Sequence, residues 1–303
     1  MPDLSIVIVN WNTRVLLDEC LASLYRHSPA CTWDVWVVDN ASSDGSPAMV
    51  REKYPEVHLV ENAGNVGFAR ANNQAARQCA GRFVLLLNSD AAATAGALNA
   101  LVSLAQSRPQ AGIIGARLVN PDGSFQASHT PFPTLWREFL ILSGVGRLRY
   151  GRWFPSAGPL ADSGPREVDY VEGACLLARR QAIDAVGGMD EGYFMYSEEV
   201  DWCMAMRKAG WQVWYQPDAE IIHHGGASSR NRRPEREADL YRSRVRFFRK
   251  WYGAAAARRL AGLILGFTAF KSVTSGGLWR LSRGHLGRPV VPVSTVARVL
   301  RGA

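Results

Sequence analysis

Three carboxylates fall within four consecutive positions of this sequence, at Glu198, Glu199 and Asp201. Carboxylates this close raise one another's pKa, so that one of them can act as a general base near neutral pH. Acidic residues are also common in the first turn of a helix, where the helix dipole stabilises them. The local pattern therefore indicates either a catalytic base or an acidic helix start.

A second set of polar residues has the chemistry of a divalent-cation site. Asn88-Ser89-Asp90 ends one apolar run, and His223-His224-Gly225-Gly226 ends another much later in the chain. Mg²⁺ is commonly held by one or two carboxylates together with substrate phosphates, and imidazole is a ligand for the transition metals. Asp90 equally suits an ordinary turn and a histidine is usually structural, so both interpretations stay open.

Two turns have the composition of a nucleotide site. Asp39 ends an apolar run and begins a turn rich in Ser, Asn and Gly, where a carboxylate either caps the turn or contacts a ligand. Residues 64–73 (GNVGFARANN) place Gly64 and Gly67 before a helix start. Glycines allow close backbone approach, and a helix N-terminus favours an anion, although Arg70 is also compatible with a solvated surface.

The elements that must position these residues alternate along the first hundred residues. Short apolar runs at 4–10, 34–39, 57–61 and 83–88 predict buried parallel strands, and residues 15–27, 47–53 and 68–79 predict helices between them. Such alternation predicts a parallel sheet covered on both faces, with ligands at the carboxyl ends of the strands. The polar clusters stand at those ends.

The later part of the chain has a different pattern. Residues 120–168 are rich in Pro, Gly and Ser, which predicts a long irregular segment. Regular structure resumes at 170–179, followed by a helix at 199–209 closed by Gly210 and by strands at 212–215 and 219–223. Residues 235–251 and 254–270 predict helices.

Composition excludes several classes of protein. The chain has 303 residues, of which 47% are hydrophobic and 20% charged, which excludes a disordered protein. An apolar, charge-free run of 11 residues at 260–270 is shorter than the roughly 20 residues that cross a bilayer. The N-terminus has no pattern of a signal peptide, and five scattered cysteines indicate a reducing compartment.

The formal charge of +8 is unevenly distributed. Residues 1–229 carry a net charge of −6, whereas residues 230–303 carry +14, with aromatic residues between the arginines. Nucleic-acid binding, a solvated helical face and attachment to an anionic membrane are all compatible with this segment. The membrane is favoured, because no nucleic-acid recognition motif accompanies the charge and an apolar helix face at 260–270 is available for insertion.

Seven motifs occur in one order along about 225 residues. They are SIVIVNWN (5–12), VVDNASSDGS (37–46), ENAGNVGFARANN (61–73), FVLLLNSD (83–90), VEGACLLARR (171–180), GGMDEGYFMYSEEVDWCMAMRKAG (187–210) and IIHHGGAS (221–228). In these motifs the sequence resembles family-two glycosyltransferases of the GT-A fold, and especially the bacterial rhamnosyltransferase-like branch that builds cell-surface polysaccharide.

The resemblance implies a fold and a domain division. The fold would be α/β, with the Rossmann-like, mostly parallel sheet of nucleotide-diphospho-sugar transferases covered by helices. Residues 1–229 would form the catalytic domain, with a nucleotide-binding half at about 1–118 and an acceptor half at about 119–229. Residues 230–303 would be a basic helical extension.

The resemblance also assigns roles to single residues. Asn10 and Asn12 would lie near the nucleotide, Asp39 would bond the base, and Gly67 would lie where a loop meets the nucleotide. Asn88 and Asp90 occupy the metal-binding DxD signature, with the first carboxylate replaced by Asn, so that Asp90 would contact the metal. His223, in a pattern completed by Gly226 and Ser228, would be a further ligand. Glu199 would be the base, with Glu198 as the alternative because Glu stands where the family has Asp.

The implied activity is an inverting, Mg²⁺- or Mn²⁺-dependent transfer of a sugar to a hydroxyl of a cell-surface polysaccharide or lipid-linked acceptor. The branch suggests dTDP-rhamnose, and a dTDP- or UDP-sugar is expected as donor. One alternative is another hexosyl or galactofuranosyl transferase. The other is an inactive homologue that binds a nucleotide-sugar or a membrane. The expected location is cytoplasmic, at the inner face of the bacterial plasma membrane, with a polyprenyl-diphosphate-linked acceptor as partner and no nucleic acid.

Overall fold

A computed structural model describes residues 1–158, 164–226, 233–281 and 292–301 of the chain. The strands are β1 (Leu4–Asn10), β2 (Trp33–Asp39), β3 (His58–Glu61), β4 (Phe83–Asn88), β5 (Ala91–Ala93), β6 (Ala111–Val119), β7 (His129–Thr130), β8 (Arg166–Glu167), β9 (Tyr170–Val171), β10 (Cys175–Arg179) and β11 (Gln212–His223). The helices are α1 (Arg14–Arg26), α2 (Ser46–Lys53), α3 (Phe68–Ala76), α4 (Ala97–Ser107), α5 (Leu135–Ser143), α6 (Val145–Tyr150), α7 (Arg180–Val186), α8 (Glu198–Lys208), α9 (Arg233–Leu281) and α10 (Val293–Arg301).

The main sheet has the strand order β3-β2-β1-β4-β10-β6-β11-β5, and β8 pairs with β11. Strands β3, β2, β1 and β4 are parallel, as is the β6–β11 pair. Strands β10 and β5 run antiparallel to their neighbours. The sequence-based prediction of an α/β fold with a mostly parallel sheet is therefore confirmed.

Burial on both faces explains why the first strands are continuous apolar runs. Ile6 and Ile8 face one hydrophobic cluster and Val7 faces the other, because successive side chains of a strand point to opposite faces. The register places Asn10 opposite Asp39 and Val9 opposite Asn88. The polar residues that follow these strands therefore lie together at one edge of the sheet.

Regular structure is more extensive than the sequence predicts in two places. Residues 212–223 form the single strand β11, with an irregularity in its pairing to β6 between Gln216 and Glu220. Residues 120–168 contain α5 and α6, although their composition predicts an irregular segment. The start of α5 follows a capping rule, because the Thr134 hydroxyl accepts a hydrogen bond from the Arg137 amide at 3.2 Å.

The chain divides into two compact units, and the second combines residues 133–155, 195–197 and 231–303. Within this second unit, a buried ion pair of 2.8 Å joins Glu138 of α5 to Arg244 of α9. Burial raises the pKa of Glu138, and the Arg244 guanidinium opposes that rise. Residues 133–155 and 195–197 thus belong to the same compact unit as the C-terminal segment. The division into a catalytic domain at 1–229 and an extension at 230–303 stays a prediction.

Helix α9 is interrupted where the sequence predicts a gap between two helices. Gly253 has the left-handed backbone angles φ 85° and ψ 168°, which break the helix and which glycine adopts without a steric penalty. Within this part of the chain, Leu260 and Ile264 are buried, and the ring of Phe267 lies 5.7 Å from that of Phe139. One face of the 260–270 run is therefore used for packing inside the second unit.

Among the helices that the structure describes, none combines the length and hydropathy needed to cross a bilayer. All five cysteines are free.

Candidate functional site

The ends of β1 and β2 are joined by a buried hydrogen-bond network. Asn10 donates from its amide to Asp39 at 2.9 Å and to the hydroxyl of Ser42 at 3.1 Å. The second carboxylate oxygen of Asp39 accepts from the Ser42 amide at 2.8 Å. Asp39, which is 2% exposed, therefore organises the turn in which it stands. Its predicted contact with a nucleotide base stays a prediction.

Asn12 connects the same two turns from the other side. Its backbone amide donates to the Ser42 hydroxyl at 2.9 Å, and its side-chain oxygen accepts from the Ser43 amide at 2.7 Å. Asn12 and Ala41 both have positive φ angles, of 53° and 61°. Non-glycine residues adopt this conformation at a cost and concentrate at functional sites, which supports a ligand role for this edge of the sheet.

Gly67, at the start of α3, lies against the backbone of Phe194. The Phe68 amide donates to the carbonyl of Phe194 at 2.8 Å, and a Cβ on Gly67 would lie 2.6 Å from that carbonyl oxygen. A close backbone approach is present at Gly67, and its partner is the loop before α8. The predicted contact of Gly67 with a nucleotide stays a prediction. The Asn73 side chain holds the same loop through two hydrogen bonds to the backbone of Met189, at 2.8 and 3.0 Å.

The end of β4 meets the end of β11 at the predicted cation site. The Nε2 atom of His223 lies 3.2 Å from Oδ1 of Asp90 and 3.3 Å from Nδ2 of Asn88. The Oδ1 atom of Asn88 is buried and has no hydrogen-bond partner among the residues that the structure describes. Strand β11 brings these residues together because it pairs with β5, which follows Asp90 directly.

The side chain of Gln126 holds the imidazole ring of His223. The Gln126 side-chain nitrogen donates to the Asn120 side chain at 3.0 Å and to the His223 carbonyl at 3.2 Å. Its oxygen therefore faces Nδ1 of His223, at 2.7 Å. With Nδ1 held by Gln126, Nε2 is the nitrogen directed toward Asp90 and Asn88. No sequence signal marks Gln126, which stands in the segment predicted to be irregular.

This donor set fits a divalent cation. An imidazole lone pair and a carboxylate oxygen repel each other at 3.2 Å unless a proton or a cation stabilises them. In the parts of the chain covered by the structure, no group of three or more His, Cys, Asp and Glu side chains is arranged to hold a metal. Metal binding by Asp90 and His223 stays a prediction, and it would need the substrate phosphates as further ligands. Ser228, the last residue of the predicted histidine pattern, lies outside the described residues.

The three clustered carboxylates have separate environments. Glu198 is 4% exposed, and one of its carboxylate oxygens has no hydrogen-bond partner in the described chain. Burial, and then the nearby charge of Glu199, raise the pKa of Glu198 well above its usual value. Asp201 is also buried and accepts a hydrogen bond from the Tyr193 hydroxyl at 3.1 Å.

Glu199 is the most exposed of the three carboxylates at the start of α8. It is half-buried beside Gly173, where an added Cβ would lie 3.5 Å from the Cβ of Glu199. Tyr196 and Ser197, which directly precede the helix, have positive φ angles of 72° and 67°. Glu199 is therefore the carboxylate of the three that is accessible from outside the protein, and its predicted role as the base stays a prediction.

The sequence profile of glycosyl transferase family 2 matches residues 5–187 of this chain. The chain is 34% identical over 243 residues to the N-acetylglucosaminyl-diphospho-decaprenol L-rhamnosyltransferase of Mycobacterium tuberculosis. The match covers 75% of this chain and 77% of that protein. It is 26% identical over 231 residues to the low-salt glycan biosynthesis hexosyltransferase Agl10 of Haloferax volcanii, covering 74% of this chain and 68% of that one.

A solved structure with the same fold is the mannosyltransferase PcManGT from Pyrobaculum calidifontis in complex with GDP-Man and Mn²⁺. Its TM-score is 0.57 at 19% identity, and the match covers 100% of this chain and 81% of that one. GalNAc-T7 with UDP, GalNAc and Mn²⁺ matches with a TM-score of 0.55 at 13% identity, over 74% of this chain and 43% of that one. These similarities show the GT-A fold.

Proposed function

This chain belongs to glycosyl transferase family 2, and from that premise we propose that it transfers an L-rhamnosyl residue to a hydroxyl of a glycan carried on a polyprenyl diphosphate. The expected donor is dTDP-rhamnose. The acceptor and the sugar are suggested by the 34% identical relative, whose name states both a diphospho-decaprenol acceptor and L-rhamnosyl transfer.

One observation supports the proposed metal dependence: Nε2 of His223 lies 3.2 Å from Oδ1 of Asp90. These two residues would hold a Mg²⁺ or Mn²⁺ ion, with Asn88 beside them. When bound, the ion would neutralise the charge that develops on the leaving diphosphate. The protein's own contribution is to hold the Asp90 carboxylate and Nε2 of His223 together where β5 and β11 pair.

The nucleotide would lie over the adjoining strand ends. Asn10, Asn12 and Asp39 form one network there, which supports a rigid site for the base and ribose. Gly67, at the N-terminus of α3, would lie close to the same ligand.

Glu199 is the proposed catalytic base. The acceptor hydroxyl oxygen forms a bond to the anomeric carbon while the bond from that carbon to the diphosphate oxygen breaks. The hydroxyl proton passes to Glu199, the nucleoside diphosphate leaves, and the single displacement inverts the anomeric centre. A base that must contact the acceptor has to be accessible, which favours the half-buried Glu199 over the buried Glu198. Glu198, with its raised pKa, is proposed to stay neutral beside it.

The enzyme would act at the inner face of the plasma membrane, with an anionic lipid surface as a partner. Two observations support this: the lipid-linked acceptor in the relative's name and the net charge of +14 on residues 230–303. An inactive binding homologue is disfavoured, because the proposed metal ligands and the proposed base are all present.

The test is a transfer assay with purified protein, Mn²⁺ and a synthetic polyprenyl-diphosphate-linked N-acetylglucosamine. We expect dTDP-rhamnose to be used in preference to UDP-galactofuranose and other UDP-hexoses, and EDTA to abolish turnover. Asp90→Asn should weaken metal-dependent binding of dTDP. Preferential use of another donor would reject the rhamnosyl assignment, and full activity in EDTA would reject the metal.

A further inference from the structure

Helix α6 exposes its apolar side chains instead of burying them. Val145, Leu148 and Tyr150 are 44%, 88% and 58% exposed. The one buried residue of this helix is Gly146, and its Cα faces the ring of Phe154 so closely that a side chain there would clash. The helix is thus held in the second unit through Gly146 and through Tyr150, whose ring stacks on that of Phe154 at 5.4 Å. Among the residues that the structure describes, Val145 and Leu148 keep much of their apolar surface exposed.

The segment that contains this helix is mostly basic. Residues 133–155 contain four arginines, Arg137, Arg147, Arg149 and Arg152, and the single acidic residue Glu138. Glu138 is buried in its ion pair with Arg244, so it does not offset the positive charge of the surface. The guanidinium of Arg149 lies 5.4 Å from the ring centre of Tyr150, which keeps basic and aromatic groups side by side.

The C-terminal apolar run does not supply an equivalent surface. Its inner face is occupied inside the second unit, where Leu260 and Ile264 are fully buried. Phe270, at its far end, is 65% exposed, and Val273, beyond the run, is 76% exposed. Insertion of the whole 260–270 face into a membrane would require unpacking the second unit, whereas α6 is exposed as it stands.

We propose that the α6 surface, defined as Val145, Arg147, Leu148, Arg149 and Tyr150, inserts into the interface of an anionic membrane. This inference rests on the proposed function, in which a lipid surface is a partner, and adds the residues that make the contact. Apolar side chains of an interfacial helix enter the boundary between headgroups and acyl chains, while arginines extend to the phosphates. Tyrosine suits the same depth because one end of its ring is polar.

Charge argues against a second copy of the chain as the occupant of this surface. In a two-fold symmetric contact the same patch faces itself, so Arg147 and Arg149 would be brought near their own copies. Like charges brought together in an interface oppose association. An anionic bilayer has the opposite sign and accepts the apolar side chains as well.

Vesicle flotation of the full chain at low salt tests the proposal. The probe is a phosphatidylcholine vesicle with about 30 mol % phosphatidylglycerol, compared with phosphatidylcholine alone. We expect binding only to the anionic vesicles. Leu148→Glu should lower the partition coefficient at least about tenfold, and each of Arg147→Gln and Arg149→Gln should lower it about fivefold.

Two matched variants decide whether α6 itself makes the contact. Val15→Glu, on α1, changes a residue that is 70% exposed in the first unit, and it should leave binding unchanged. Val273→Glu changes an exposed residue of α9. If Val273→Glu abolishes binding and Leu148→Glu does not, the assignment to α6 is overturned. Loss of a dimer in Leu148→Glu, measured by light scattering, would instead identify a second copy as the occupant.

Transfer to a water-soluble, short-chain acceptor separates this inference from the proposed function. Leu148→Glu should retain that activity while losing vesicle binding. If the wild-type chain transfers the sugar but does not bind vesicles, only the proposal that α6 inserts into a membrane is overturned. If the wild-type chain binds vesicles but does not transfer the sugar, only the proposed rhamnosyltransferase activity is overturned.

Discussion

The Nδ1 atom of His223 lies 2.7 Å from the side-chain oxygen of Gln126, a residue 97 positions earlier in the chain. Two acceptors hold the nitrogen of the Gln126 amide, so its oxygen must accept the Nδ1 proton. The opposite nitrogen of His223, Nε2, faces Oδ1 of Asp90 at 3.2 Å. Groups that orient a ligating histidine in this way commonly change metal affinity when removed.

We expect Gln126→Leu to lower the affinity for Mn²⁺ about 10- to 100-fold in the presence of dTDP. The imidazole loses the acceptor that selects its tautomer and holds its ring plane. Mn²⁺ titration followed by electron paramagnetic resonance measures this directly. Gln212→Leu is the matched control, since Gln212 also accepts a side-chain hydrogen bond, from Trp214, but lies away from the cation site. Unchanged Mn²⁺ affinity in a folded Gln126→Leu protein would contradict the positioning role.

The two neighbouring glutamates should respond differently to the same substitution. Glu199→Gln removes the proposed base and should lower kcat about 10²- to 10⁴-fold with little change in donor affinity. Glu198→Gln replaces a neutral acid with a neutral amide and should keep kcat within about fivefold. Initial rates at saturating acceptor, with dTDP binding measured separately, give both quantities. A greater loss in Glu198→Gln than in Glu199→Gln would reverse the assignment.

Glu198 should also make stability depend on pH. Its pKa is raised in the folded protein by burial and by Glu199, so the folded state binds the proton more tightly than the unfolded state. Its contribution to stability is therefore fully present at low pH and is lost as the pH rises from about 4 toward the raised pKa. The amide of Glu198→Gln does not titrate. The stability of this variant relative to wild type should then increase with pH over that window, in urea unfolding followed by circular dichroism. A difference independent of pH would refute the raised pKa.

Gly67→Ala should destabilise the chain by about 2 to 4 kcal/mol. The position has a φ of 87°, which strains any L-residue, and the new Cβ would lie 2.6 Å from the Phe194 carbonyl oxygen. Gly64→Ala is a close control, since no atom lies within 4 Å of its added Cβ, and a change within about 0.5 kcal/mol is expected there. Urea unfolding of both variants provides the comparison, and equal stabilities would show that Gly67 tolerates a side chain.

Much of the sheet and one edge of the site follow from the sequence alone. Continuous apolar runs predict buried strands wherever both faces are covered, and β1 and β4 have the predicted bounds. Carboxyl ends of parallel strands meet at one edge, so Asn10, Asp39 and Asn88 could be expected there together. The family could be identified from the order of the seven motifs along the chain, because that order does not depend on any tertiary contact.

The tertiary structure alone decided how these residues are paired and buried. The three carboxylates at 198–201 look equivalent in sequence, but the fold buries Glu198 and Asp201 and leaves Glu199 half-exposed. The burial of a charged residue depends on which distant elements pack over it, and the local sequence around these three carboxylates does not indicate it. The same reason applies to Gln126 at His223, and to residues 133–155, whose place beside the C-terminal helix depends on long-range contacts such as Glu138 with Arg244.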